Sequence, residues 1–115
     1  MPRLARRRLL PTRRERSRTE GRYDDLDVTT ISEIPLRQPV RVMGTVRSLT
    51  TVSKVTSPTL EATVADDSGR IVAVFLGRRG LGGLKCGERV VLEGVAQLHH
   101  GRVEMLNPLY TLLRG

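Results

Sequence analysis

The chain is poor in rings. Phe and Tyr together account for only three of its 115 residues (Tyr23, Phe75 and Tyr110), and there is no Trp. A surface that stacks successive nucleic-acid bases on aromatic side chains, at about 1–3 kcal/mol per base, is therefore hard to build. Cysteine is almost absent as well. Cys86 stands alone and forms no internal disulfide, and with His99 and His100 as the only histidines we expect no metal site. In the hairpin turn expected at His99-His100-Gly101 the two imidazoles should diverge. A chain with one thiol fits a reducing, cytoplasmic compartment. No apolar run approaches the roughly 18 residues that span a bilayer. The N-terminus has arginines but lacks the apolar stretch of a secretory signal. It resembles an organellar transit peptide in composition, yet Pro11 interrupts the amphipathic helix such a peptide needs. Catalytic constellations are missing too. Cys86 has no assured histidine partner, and the G-L-G-G run at 80–83 lacks the Lys-Ser/Thr of a phosphate-binding loop. We expect no enzyme, no cofactor, no metal, no small-molecule substrate and no membrane association.

What the chain does have is positive charge, unevenly placed. Residues 1–22 hold nine arginines against Glu15 and Glu20, a net +7, which leaves +1 of the total +8 for residues 23–115. Such an arm binds polyanions without regard to sequence, because each neutralised phosphate releases a counterion. It could equally be a solvated tail that aids solubility. Its only large apolar side chains are Leu4, Leu9 and Leu10, so we expect disorder over 1–22, with a frayed helix at most over 13–21. Residues 23–38 read as a lead-in segment, acidic at first, then carrying Ile31, Ile34 and Leu36 against the domain. Residues 39–115 form the domain itself.

The domain is organised around Asp66 to Arg79. A polar turn, Asp66-Asp67-Ser68-Gly69, with Gly69 at positive φ, leads into Arg70–Leu76, which Gly77 closes. Such a short run between turn signals is a strand. Ile71, Ala73 and Phe75 lie on one face, and Val72, Val74 and Leu76 on the other. A strand apolar on both sides is buried twice or offers one side to a partner. Before it, Val40, Val42, Gly44 and Val46 alternate with Arg41, Met43, Thr45 and Arg47, with a bend expected at Gly44. Residues 48–58 could extend that strand and then loop around Lys54. Thr59–Ala65 is the second strand. After a glycine-rich connector come Arg89–Gln97 and Arg102–Leu106, and Leu109 to Leu113 closes the domain beyond Asn107-Pro108. The fold class expected is all-β: a five-stranded Greek-key OB-fold barrel with a glycine-rich connector or short helix between strands 3 and 4. An SH3-like barrel is the competitor, but it usually has no element at that connector.

The strings V-R-V-M-G-T-V-R-S, L-E-A-T-V-A-D-D-S-G-R-I-V-A-V-F-L, L-K-C-G-E-R-V-V-L-E-G-V-A and G-R-V-E-M-L-N-P-L-Y resemble OB-fold nucleic-acid-binding domains over residues 39–113. The likeness extends to the anticodon-binding domains of class II aminoacyl-tRNA synthetases and to the wedge domain of the branch-migration helicase RecG. It extends also to small stand-alone OB proteins of actinobacteria, in which a strand ending F/W-L-G-R-R recurs. The resemblance implies nucleic-acid binding, DNA or RNA. OB domains take ligand across strands two and three, between the loops that join strands one and two and strands four and five. Here those regions supply Lys54, Arg70, His99, His100 and Arg102, with Arg41 and Arg47 on the first strand, and Arg78 and Arg79, after strand three, could clamp phosphates at its end. Arg6, Arg7, Arg8, Arg13 and Arg14 of the arm would add sequence-blind contacts. Glu61, Asp66, Asp67 and Glu104 dilute any positive field. The other function class open to this sequence is a protein partner or homodimer, docked on the apolar outer face of strand 3.

Overall fold

The computed structural model describes residues 27–53 and 57–113. The expectations for the arm at 1–22, its helix at 13–21, the start of the lead-in at 23–26 and the loop at Lys54 lie outside the described residues. The chain divides into two compact units, Met1–Asp27 with Leu113–Gly115, and Val28–Leu112. The second is described here.

Six strands follow a 3-10 turn at Ile31–Glu33: β1 Pro39–Ser53, β2 Pro58–Ala65, β3 Arg70–Leu76, β4 Arg89–His99, β5 Arg102–Leu106 and β6 Leu109–Leu113. No α-helix occurs among the described residues. The connector from Gly77 to Glu88 is built of turns. The strands lie in the order β1-β2-β3-β5-β4-β6, and β4 pairs back with β1, so five strands close into a ring and β6 extends it beside β4. The β3–β5 pair is parallel, while β1–β2, β2–β3, β4–β5 and β1–β4 are antiparallel.

The ring closes because β1 is long enough to serve two neighbours. Pro39 to Thr45 pair with β4, and Thr45 to Ser53 pair with β2. Gly44 sits where the two sets meet. A Cβ there would stand 2.6 Å from the Ala65 carbonyl oxygen and 2.8 Å from a Val64 methyl, so only glycine lets the end of β2 approach. The irregularity itself lies further on: the register shifts between Val46 and Ser48, leaving Arg47 as the extra residue. That shift changes the phase of the strand. Leu49, opposite Ala62, packs toward the same core as Val42 and Val46.

Ile71, Leu92, Met105, Val42, Val46, Val64 and Val90 are fully buried at the centre of the ring. Each contributes about 1.5–3 kcal/mol relative to an exposed side chain. Ile31 from the lead-in turn and Leu84 from the connector join this core from outside the strands. Phe75 meets Tyr110 edge-on at 5.9 Å, as expected of a core ring rather than a stacking platform.

Two turns differ from expectation. Gly69 has no positive φ. Its turn is closed instead by Asp66, whose Oδ1 accepts from the Ser68 and Gly69 amides at 2.8 and 3.0 Å, so a carboxylate does what a left-handed glycine was expected to do. Asn107 does more than end β5. It adopts φ +49, its amide donates to the Val74 carbonyl at 2.7 Å, and its Oδ1 accepts from the Leu76 amide at 2.9 Å. One asparagine thus continues the β3–β5 ladder after the strand has turned away, and the chain re-enters the sheet as β6.

Candidate functional site

Residues of the outer surface of β2, β3 and β5 follow from the register. Glu61 is opposite Val74, Thr63 opposite Val72, and Val72 is also opposite Glu104. Val72 and Val74 are only 5% and 7% exposed, although they point away from the central core. An ion-pair bridge crosses β3 at their height. Arg102 Nη1 lies 3.3 Å from Glu61 Oε1 on β2, and Arg102 Nε donates to Glu104 Oε2 at 2.8 Å on β5. Arginine stems cover apolar surface while their heads stay polar. The hydrogen bond to Glu104 is the largest influence raising the Arg102 guanidinium above its usual value, and the one to Glu61 adds to it. The charged groups of this face, Arg70 and Arg102 against Glu61 and Glu104, therefore balance.

The hairpin from β4 to β5 flanks the bridge. His100 and Gly101 have φ +53 and +77, the two positive values of a tight type I′ turn. The imidazoles of His99 and His100 do not diverge. Their centroids are 4.3 Å apart and the rings meet edge to face. His99 Nδ1 lies 3.6 Å from Glu104 Oε2. Among the described residues no three His, Cys, Asp or Glu side chains converge as metal ligands, and Cys86 is a free, exposed thiol.

The remaining cations are dispersed. Arg41 is paired with Glu93 across β1 and β4 at 3.3 Å. Arg47 is exposed at the bulge, Arg70 is exposed at the start of β3, and Arg78 and Arg79 are exposed just beyond it. The Thr51 hydroxyl donates to the Arg79 carbonyl at 3.2 Å, tying the connector to the far half of β1. Lys54, Arg6, Arg7, Arg8, Arg13 and Arg14 lie outside the described residues. The structure thus brings Arg70, His99, His100 and Arg102 toward one end of the β3–β5 face and holds Arg78 and Arg79 at the other.

Sequence reasoning missed three participants. Glu61 and Glu104 appear in it only as diluting charge, because nothing local marks two carboxylates 41 and two residues from Arg102 as its partners. Lys85 of the glycine-rich connector was not singled out, although the connector's three cations against one acid, Glu88, were a signal.

No protein-family model matches the chain, and no curated protein is similar to it. No helix among the described residues is long and apolar enough to cross a membrane.

Proposed function

We propose that this chain is an OB-fold barrel that binds nucleic acid, DNA or RNA, without catalysis, assisted by its arginine-rich N-terminal arm. The observation that carries the reading is the ring: a long first strand bulged at Arg47 pairs with both β2 and β4, and a parallel β3–β5 pair closes the circuit. That strand order is the one expected of the five-stranded Greek-key barrel, a fold whose members bind oligonucleotides. The net charge of +8, of which +7 lies in residues 1–22, supplies the electrostatic part. With so few rings, affinity rests on arginine contacts and falls steeply with salt. Fluorescence anisotropy with labelled single strands, duplex and a branched junction tests the reading, and no binding to any of them at low salt rules it out.

One observation favours a second reading, a protein partner or self-association. Val74 is opposite Leu106, and the β4–β5 register extended by one step sets Leu106 beside Val95. Leu76, Leu106 and Val95 are each about half exposed, at 50%, 50% and 47%. The apolar outer surface is therefore this row rather than Val72 and Val74. Light scattering on the full chain distinguishes the readings. A monomer at all concentrations removes self-association.

A further inference from the structure

The unbalanced positive charge of Val28–Leu112 does not lie on the β2–β3–β5 face. It follows a different line. The connector between β3 and β4 is tied to β1 at both of its ends. Near its start the Arg79 carbonyl accepts from the Thr51 hydroxyl. At its end the Gly87 amide donates to the Val46 carbonyl at 2.8 Å, and the Val46 amide donates to the Glu88 carbonyl at 2.9 Å. The connector thus runs antiparallel to β1 along the stretch from Val46 to Thr51, on the edge that β2 leaves free. This sets Arg78 and Arg79 toward the Thr51 end of the stretch, and Lys85, two residues before Gly87, toward the Val46–Arg47 end.

All four side chains are exposed. Among the described residues none of them is held by an ion pair or a side-chain hydrogen bond, unlike Arg41 and Arg102. Acid is scarce along the seam: β1 has none, and the connector has Glu88 alone. Glu61, which faces Thr50 from β2, is engaged by Arg102. The four steps of strand from Arg47 to Thr51 cover about 13 Å at about 3.3 Å each. One strand of a duplex presents about four phosphates over that axial length.

We propose that the seam between β1 and the β3–β4 connector, with Arg47, Arg78, Arg79 and Lys85, is a phosphate-backbone track. It rests on the nucleic-acid reading above and names where the domain itself contacts the polyanion. The bulge at Arg47 has a purpose in this arrangement: it turns an extra cation out of the sheet at the point where the connector rejoins β1. The β2–β3–β5 face is charge-balanced and contributes little to phosphate affinity, whereas the seam holds sequence-independent contacts.

The test is a salt titration of the full chain against a labelled mixed-sequence duplex and single strand, with Arg47→Gln/Lys85→Gln, Arg78→Gln/Arg79→Gln and the combined fourfold variant. Arg37→Gln, an exposed cation away from the seam, is the control. Each lost contact lowers the slope of log K against log salt by about 0.9 for duplex and about 0.7 for a single strand. Each double variant should therefore lower the duplex slope by about two, and the fourfold variant by three to four, with affinity down at least about tenfold at low salt. Arg37→Gln should leave both unchanged. Circular dichroism melts confirm that the variants remain folded, which exposed Arg→Gln changes permit. If the wild-type chain binds and the fourfold variant binds with the same affinity and slope, the seam is overturned while the nucleic-acid reading stands. If the wild-type chain binds neither probe at low salt, both fall.

Discussion

The backbone amide of Ile31 donates to Asp66 Oδ2 at 2.9 Å, a contact between residues 35 apart in the chain. The same carboxylate accepts the Ser68 and Gly69 amides through its other oxygen, and the Ser68 hydroxyl accepts from the Ser32 amide at 3.0 Å. The turn that leads into β3 is thus also the clamp for the lead-in turn, and it seats the Ile31 side chain in the core.

Asp66→Asn tests that clamp, and it carries a pH signature. Burial is the largest single influence on the Asp66 carboxyl and pushes it up. The bonds from Ser68, Ile31 and Gly69 together outweigh it and hold the carboxyl below its ordinary 3.8. A group lowered on folding stabilises the fold above its unfolded value, and the contribution is lost as pH falls through the folded one. Asp66→Asn should cost about 0.5–1.5 kcal/mol near neutral pH in urea unfolding, the net worth of a hydrogen bond whose charge solvent partly screens. The deficit should shrink as pH falls below 3.8. A deficit independent of pH would assign the effect to packing.

Gly44 and Gly94 occupy comparable mid-strand positions and should behave differently. A Cβ at Gly44 would meet the Ala65 carbonyl at 2.6 Å, whereas at Gly94 the nearest atom, on Pro108, is 3.4 Å away. Gly44→Ala should destabilise by about 1–3 kcal/mol, the cost of overpacking against backbone. Gly94→Ala should be close to neutral. Urea midpoints of the two variants decide it.

Asn107 separates a backbone effect from a side-chain effect. Asn107→Gly keeps the positive φ without strain and loses the acceptor for the Leu76 amide, at a cost of about 1 kcal/mol. Asn107→Ala loses the acceptor and also pays the left-handed penalty of about 1–2 kcal/mol. Thermal melts should rank wild type above Gly and Gly above Ala.

Glu61 and Glu104 both engage the Arg102 guanidinium. Glu61→Gln combined with Glu104→Gln should release that guanidinium, raise nucleic-acid affinity at low salt, and steepen the duplex salt slope by about one. Anisotropy titrations at two or more salt concentrations check this. An unchanged slope would mean that the β2–β3–β5 face stays clear of the nucleic-acid backbone even without its carboxylates.

The elements bounded by strong turns were legible in the sequence. Arg70–Leu76 and Arg102–Leu106 have the observed bounds because Gly77, Gly101 and Asn107 punctuate alternating apolar runs. β1 was harder, since the bulge at Arg47 shifts the alternation by one residue, and Leu49 is out of step with Val42 and Val46 when counted along the sequence alone. β6 was hidden by Asn107-Pro108, which reads as a stop unless the asparagine side chain is known to stand in for a strand. For the site, exposure of single arginines could be anticipated, but pairing could not. Whether Arg102 is committed to Glu61 depends on β5 lying beside β3, a long-range fact with no local trace. The same holds for the end of the connector, where Gly87 and Glu88 bond to Val46 only because the connector follows the edge of β1.

The most direct measurement is the affinity of the full chain for a labelled single strand and a duplex across a series of salt concentrations. The expected result is binding at low salt with a steep linear fall of log K against log salt, at a slope that reflects several phosphate contacts from both the arm and the domain. Absence of binding at low salt, or an affinity indifferent to salt, would contradict the nucleic-acid account.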